Sequence, residues 1–265
     1  MSSPAAAVPT EATLLDLLDV RPVGPDRYRA DFVAPDPLGL YGGQVAAQAL
    51  RAAGSTVDPG RPPHSLHGYF VRRGDPEQPM EFHVHRERDG GSFSARRVEA
   101  SQGGEVVFAG TASFQVHADG PVEQVDAGPE VRGPGGAETV RLPRLLSFEG
   151  VEVQQPWPDT PWPTRFWART TEDLGQDRLL HAAALTYLSD ISSGMAPLSR
   201  DGLVPGPSLD HAIWFHHPAR ADDWILTDLR PHVAAGGRGW YTGTMYDRAG
   251  RAVSSHAQEC LFRTA

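Results

Sequence analysis

No lysine occurs in this 265-residue sequence; all 24 of its basic side chains are arginine. That excludes Schiff-base and pyridoxal chemistry, the phosphate-binding lysine of P-loops and the strand lysine of kinases. Cysteine is nearly absent too. Cys260 stands alone, so the chain has no intramolecular disulfide, no thiolate metal cluster and no C-x-x-C redox pair. Runs of about 18 apolar residues are missing, which speaks against a membrane-spanning helix. Met1 to Val20 carries no positive charge ahead of its apolar residues, unlike a secretory signal. Positive charge is in deficit overall: 33 acidic residues against 24 basic ones leave a net charge of −9. Such a chain is poorly suited to gripping a phosphate backbone. The expectation is a soluble cytoplasmic protein that binds no nucleic acid.

Glycine (28) and proline (24) are plentiful and punctuate the sequence. Thr10 to Val20 carries a short leucine stripe of helical spacing, and Asp26 to Val33 alternates as a strand does. Gly42-Gly43 opens a small-residue helix, Gln44 to Ala53, with Gly54 as its expected C-cap. Strand-like runs follow at Ser65 to Arg72, Met80 to Arg88, Ser92 to Ser101 and Glu105 to Val116. The last two are joined by the turn Gln102-Gly103-Gly104. From Ala118 to Pro163 prolines, Pro143 among them, break every regular pattern. This stretch reads as a linker, with an apolar patch at Leu142 to Phe148 that can dock on a domain.

The earlier order then returns: a strand at Thr164 to Thr170, a small-residue helix at Gln176 to Ile191, and strands at Ser208 to His216, Trp224 to His232, Gly239 to Asp247 and Ala252 to Arg263. Arg248-Ala249-Gly250 repeats the first glycine turn. His67 and His211 are 144 residues apart, and Gly104 and Gly250 are 146 apart. One α+β unit used twice is the expected organisation: a first unit at 1–117, the linker at 118–163 and a second unit at 164–265. A long helix followed by an antiparallel sheet suits the hotdog fold, in which the sheet wraps the helix.

Several tempting motifs carry little. His83-Val84-His85 and His216-His217 have no matching third ligand motif and read as strand histidines, so no metal is expected. Ser208, Asp210 and His211 supply the residue types of a hydrolytic triad, but too close together for the base to stand between its partners. Arg72-Arg73 and Arg96-Arg97 read as solvated strand faces, with contact to an anionic group as the alternative.

Longer segments are more specific. Tyr41-Gly42-Gly43-Gln44-Val45-Ala46-Ala47-Gln48-Ala49-Leu50, His64-Ser65-Leu66-His67-Gly68-Tyr69-Phe70 and Ser92-Phe93-Ser94-Ala95-Arg96-Arg97-Val98 occur in the first half. Ser189-Asp190, Ser208-Leu209-Asp210-His211-Ala212-Ile213-Trp214-Phe215-His216 and Ala257-Gln258-Glu259 occur in the second. Together, from about Leu38 to Arg263, they resemble the acyl-CoA thioesterase II family. The resemblance implies a double hotdog, each unit with an antiparallel sheet around a long central helix. It implies hydrolysis of acyl-CoA to a free fatty acid and CoA without metal or organic cofactor, and homodimers or homotetramers as the expected assembly. Carried over residue by residue, the family's catalytic trio falls on Asp190, Ser208 and Gln258.

The chemistry is coherent on its own terms. A thioester is an activated acyl group, so a positioned water can attack it directly. Asp190 can act as general base, and Ser208 and Gln258 can orient the water through their donors and acceptors. The helix start at Gly42, Gly43 and Gln44 is the candidate for binding the substrate oxygen, since glycine lets ligand atoms approach the backbone. The competing readings are a non-catalytic acyl-thioester binding protein and a hotdog hydratase or dehydratase. The latter is disfavoured because the D-x-N-P-x-H pattern is missing.

Overall fold

The computed structural model describes residues 12–36, 39–125, 127–142, 144–191, 193–200 and 202–264. Thr10, Leu38 and Pro143, named above, lie outside them. The first helix, α1 (Leu14–Leu17), is a single turn held by a capping box: Asp16 N–H donates to the Thr13 hydroxyl, and Thr13 N–H donates back to the Asp16 carboxylate. A hairpin of β1 (Arg21–Gly24) and β2 (Arg27–Ala30) follows, then the two-residue pair β3 (Pro35–Asp36) and β4 (Gly39–Leu40).

Helix α2 (Gly42–Gly54) is buried along almost its whole length. Ala46, Ala47, Ala49, Ala52 and Ala53 are inaccessible to solvent, and small side chains are what let other elements close around it. Gly54 is the last helical residue rather than a left-handed cap; Ser55, in ordinary right-handed conformation, caps the end. The reason is packing. A Cβ on Gly54 would stand 2.4 Å from Leu179 of the second long helix, so glycine here serves close approach.

Of the strands β5 (Pro63–Phe70), β6 (Met80–Asp89), β7 (Phe93–Gln102) and β8 (Glu105–Gln115), the last three run as an antiparallel meander, and β5 pairs with β8 rather than with β6. Gly103 and Gly104, both at positive φ, make the two-residue turn between β7 and β8. The second half begins inside the stretch expected to be a linker. There β9 (Val140–Arg141) and β10 (Phe148–Glu152) pair in sequence onto β11 (Arg165–Thr170). Leu142, Leu145, Leu146 and Phe148 join the core cluster around α3 (Arg178–Ser189). The patch therefore docks as expected, but as part of the sheet and core. A short 3-10 helix, Ser193–Leu198, leads into β12 (Leu203–Ser208), β13 (Asp210–Phe215), β14 (Ile225–Ala235), β15 (Arg238–Tyr246) and β16 (Ala252–Thr264).

Fourteen strands make one antiparallel sheet in the order β1-β2-β6-β7-β8-β5-β13-β16-β15-β14-β11-β10-β9, with β12 pairing β16. From the β5–β13 junction outward, β5-β8-β7-β6-β2 on one side matches β13-β16-β15-β14-β11 on the other. His67 and His211, however, do not hold matching places. His67 sits opposite Ala212 and is exposed, against Trp214; His211 sits opposite Gly68 and is buried. The two differ by one residue in register, which in a strand puts them on opposite faces.

Arg96 also departs from expectation. It lies on the buried face of β7 with Val98 and Ala100, and its guanidinium donates to Thr56 Oγ1 (2.7 Å), Thr56 O (3.2 Å) and Asp89 (2.6 Å). Arg97 points outward and pairs with Glu87 and Glu99. Among the described residues no helix is long and apolar enough to cross a membrane.

Candidate active site

Asp190, Ser208 and Gln258 come from three elements and meet at one point. Asp190 is the C-cap of α3, Ser208 ends β12, and Gln258 lies on β16. A register shift in the β12–β16 pairing between Pro205 and Ser208 accompanies this arrangement; such irregularities re-aim side chains beside functional sites. The Ser208 hydroxyl donates to Asp190 Oδ1 at 2.9 Å. Gln258 Nε2 donates to the same oxygen and to Ser208 Oγ, each at 2.5 Å. Asp190 and Gln258 are almost wholly buried.

Asp190 and Ser208 form part of the wall of a cleft of about 340 Å³. The start of α2 faces them there. A Cβ on Gly42 would stand 2.6 Å from Asp190 Oδ2 and 2.8 Å from Phe70 Cζ, so the backbone at this helix start approaches the carboxylate closely. Tyr41, the N-cap, gives the first turn no side-chain hydrogen bond. The positive end of the α2 dipole thus faces the carboxylate, which favours negative charge at this place. Tyr41 itself donates its phenol to Tyr187 O at 2.8 Å; burial, with the Asp190 charge, holds that phenol well above the ordinary tyrosine range. The phenol keeps its proton at neutral pH.

The other two residues of the expected substrate contact lie elsewhere. Gly43 packs on the Tyr187 carbonyl, where a Cβ would stand 2.6 Å away. Gln44 is fully buried and takes both backbone groups of Ala34, accepting from its N–H at 2.9 Å and donating to its carbonyl at 2.8 Å. The Gln44 side chain is a structural tie, because its donor and acceptor are both spent on Ala34.

The remaining motifs sort by their partners. Asp210 accepts from Glu259 N–H at 2.7 Å and so pins β16 next to Gln258; neither it nor His211 bonds Ser208. No Ser-His-Asp relay forms from this run. His211, singled out in the sequence as a repeated residue and as a member of the rejected triad, contacts Gln258 directly: Nδ1 lies 2.6 Å from Gln258 Oε1. The clue was its place three residues after Ser208, in β13, where it shares the inward face with Ile213. Arg72 and Arg73 lie just beyond β5 and, with Arg144, contribute to the cleft wall.

Cys260 is buried, and desolvation pushes its thiol up to about 12, so it offers no thiolate nucleophile. His83, His85 and Glu99 bring ligand-type atoms within 4.8 Å of one another on the outer face, but Arg97 already holds the Glu99 carboxylate. A second cleft, of about 330 Å³, includes His64, Arg178 and His216 in its wall and none of the trio.

An antiparallel sheet with long buried helices and a polar trio on a cleft defines a hotdog-fold protein. The same fold is seen in a conserved protein of unknown function with hot dog fold from Alicyclobacillus acidocaldarius, with a TM-score of 0.76 at 18% identity over 94% of this chain and 97% of that one. Family models for the acyl-CoA thioesterase N-terminal domain and C-terminal domain match residues 34–115 and 117–262. The chain is 32% identical to acyl-coenzyme A thioesterase 8 of Mus musculus over 93% of its own length and 88% of that protein's. It is 36% identical to the acyl-CoA thioesterase II TesB2 of Mycobacterium marinum, whose crystal structure matches with a TM-score of 0.80 over 95% of this chain and 97% of that one. The chain belongs to the acyl-CoA thioesterase II family and is a thioester hydrolase.

Proposed function

We propose that the chain hydrolyses acyl-CoA to a fatty acid and CoA, with Asp190 as general base and Ser208 and Gln258 orienting the attacking water. The observation that carries this reading is the meeting of the three side chains within 2.5–2.9 Å beside one cleft. Asp190 takes a proton from the water as its oxygen attacks the thioester carbonyl carbon, a role worth about 10²–10⁴-fold. Backbone N–H groups at the Gly42 end of α2 face the oxyanion that develops, a contribution of about 10²–10³-fold. The C–S bond then breaks, and the CoA thiolate leaves with the proton held by Asp190.

The cleft wall suits both ends of such a substrate. Leu40, Val45, Phe70 and Leu209 offer apolar surface to the acyl chain, and Arg72 and Arg73 offer cationic groups to the CoA phosphates. The chain is read as two hotdog units, with boundaries near residues 117 and 164 and with β9 and β10 extending the second sheet. In the first unit the places of His211 and Gln258 are taken by Leu66 and Ala112, which pair with each other. One trio per chain is the consequence.

Release of CoA thiol from acyl-CoAs ranging from butyryl to stearoyl, compared between wild type and Asp190→Asn, tests the reading. Turnover lost in the nearly isosteric variant supports it. Equal turnover in the two proteins removes Asp190 as the base, and tight acyl-CoA binding without turnover in wild type makes the protein a binder.

A further inference from the structure

His211 is fully buried behind the trio, bonded on both ring nitrogens. Nδ1 lies 2.6 Å from Gln258 Oε1 and Nε2 lies 2.7 Å from Ser189 Oγ. Hydrogen-bond logic assigns the proton between His211 and Gln258. An ionised Asp190 only accepts, so the Gln258 atom facing its Oδ1 is the amide nitrogen. The amide oxygen therefore faces His211, and it requires a hydrogen on Nδ1. Nε2 meets the Ser189 hydroxyl, whose oxygen also lies 2.9 Å from Thr186 O and so has a second acceptor for its one hydrogen. From His211 through Gln258 the donors point toward the carboxylate.

We propose that His211 is a positioning residue for the thioesterase reaction: its Nδ1–H locks the Gln258 carboxamide in the one orientation that presents Nε2 to both Asp190 and Ser208. The inference rests on the trio reading above. A carboxamide is nearly symmetric in shape, and a half-turn would swap its oxygen and nitrogen. Inverted, Gln258 would set an oxygen against the Asp190 carboxylate and lose both donated bonds. His211 selects against that state because its donor cannot face an amide N–H. Its counterpart position in the first half holds Leu66, opposite Ala112, where no amide needs orienting. The polar pair is thus confined to the half that carries the trio.

The test compares His211→Leu, His211→Asn and His211→Gln with Gln258→Ala and wild type, measuring kcat and KM for one acyl-CoA and thermal melting for each protein. Asparagine places an N–H close to Nδ1; glutamine reaches the Ser189 side and leaves the Nδ1 place empty. His211→Leu and His211→Gln are expected to lose about 10–100-fold in kcat, the scale seen when an orienting partner is removed. KM should stay within about twofold, because the lost interaction acts in the chemical step. His211→Asn should recover most of kcat. Rescue by asparagine but not glutamine is not what loss of packing would give. If His211→Leu does not fold, the asparagine and glutamine variants decide.

Nitrogen-15 NMR of the imidazole supplies an independent readout. A protonated Nδ1 is expected, and a bare Nδ1 overturns the proposal. So does asparagine no better than glutamine at equal melting temperature. Wild-type kcat in His211→Leu together with a crippled Gln258→Ala overturns the His211 role alone. Wild-type kcat in Gln258→Ala overturns the trio reading and this inference with it.

Discussion

Gly42 lies directly against Asp190. The first residue of α2 comes so close to the carboxylate ending α3 that a Cβ would stand 2.6 Å from Oδ2. Two helix ends of opposite polarity thus face each other across the proposed reaction site, the α2 N-terminus toward a negative charge at the C-terminus of α3.

Gly42→Ala is expected to displace the Asp190 carboxylate or the Phe70 ring, since the new methyl cannot fit between them. A misplacement of about 1 Å at a reacting group can cost about 10²-fold, and that is the expected fall in kcat/KM. Steady-state kinetics of CoA release checks it, with melting temperature as control. Near-wild-type kinetics would mean that Asp190 does not need this backbone approach.

His256 should make the protein acid-sensitive. Its ring is buried under the sheet, both nitrogens lack hydrogen-bond partners among the described residues, and burial, with His211 nearby, lowers its pKa to about 3. An unfolded histidine protonates near pH 6.5. Between these values the unfolded chain takes up a proton that the folded one refuses, so stability is full above about pH 6.5 and is lost as the pH falls toward 3. The slope from this group is about 1.4 kcal/mol per pH unit. Urea unfolding at several pH values should show that slope reduced in His256→Leu; parallel curves for the two proteins would show that the ring is protonated or solvated when folded.

Tyr187 ties the 142–148 segment to α3. Its hydroxyl accepts from Leu146 N–H at 3.1 Å and donates to Arg144 O at 3.2 Å. Tyr187→Phe leaves a buried N–H without a partner and is expected to cost about 1–3 kcal/mol, read by urea unfolding. A loss under about 0.5 kcal/mol, the level of an ordinary surface change, would show that water or another group takes over.

Arg96 shows how near a correct reading lay. Paired arginines suggested a solvated face, yet strict alternation with Val98 and Ala100 already put Arg96 on their side of β7. What the sequence did not contain was its compensation. Burying a guanidinium needs partners, and Thr56 and Asp89 come from a loop some 40 residues earlier and from the neighbouring strand. His67 and His211 teach a related lesson. Spacing along the chain matched them, but strand pairing separates them by one residue and therefore by a face.

The elements themselves were legible because their causes are local. Alternating strands, alanine-rich helices and glycine turns follow from period and backbone freedom, and both long helices, both glycine turns and most strands lie close to where the residues put them, whereas β12 went unread and Ser208 ends it instead of opening the next strand. Proline density hid β10, whose pairing with β11 depends on the apolar residues around it finding a core. Asp190, Ser208 and Gln258 were named by the family resemblance of the motifs that hold them. Their convergence, the closeness of Gly42, the inward turn of Gln44 and the hydrogen bonds of His211 are properties of pairing and packing. Contacts between residues tens of positions apart depend on register and burial, and a chain read in one dimension does not contain them.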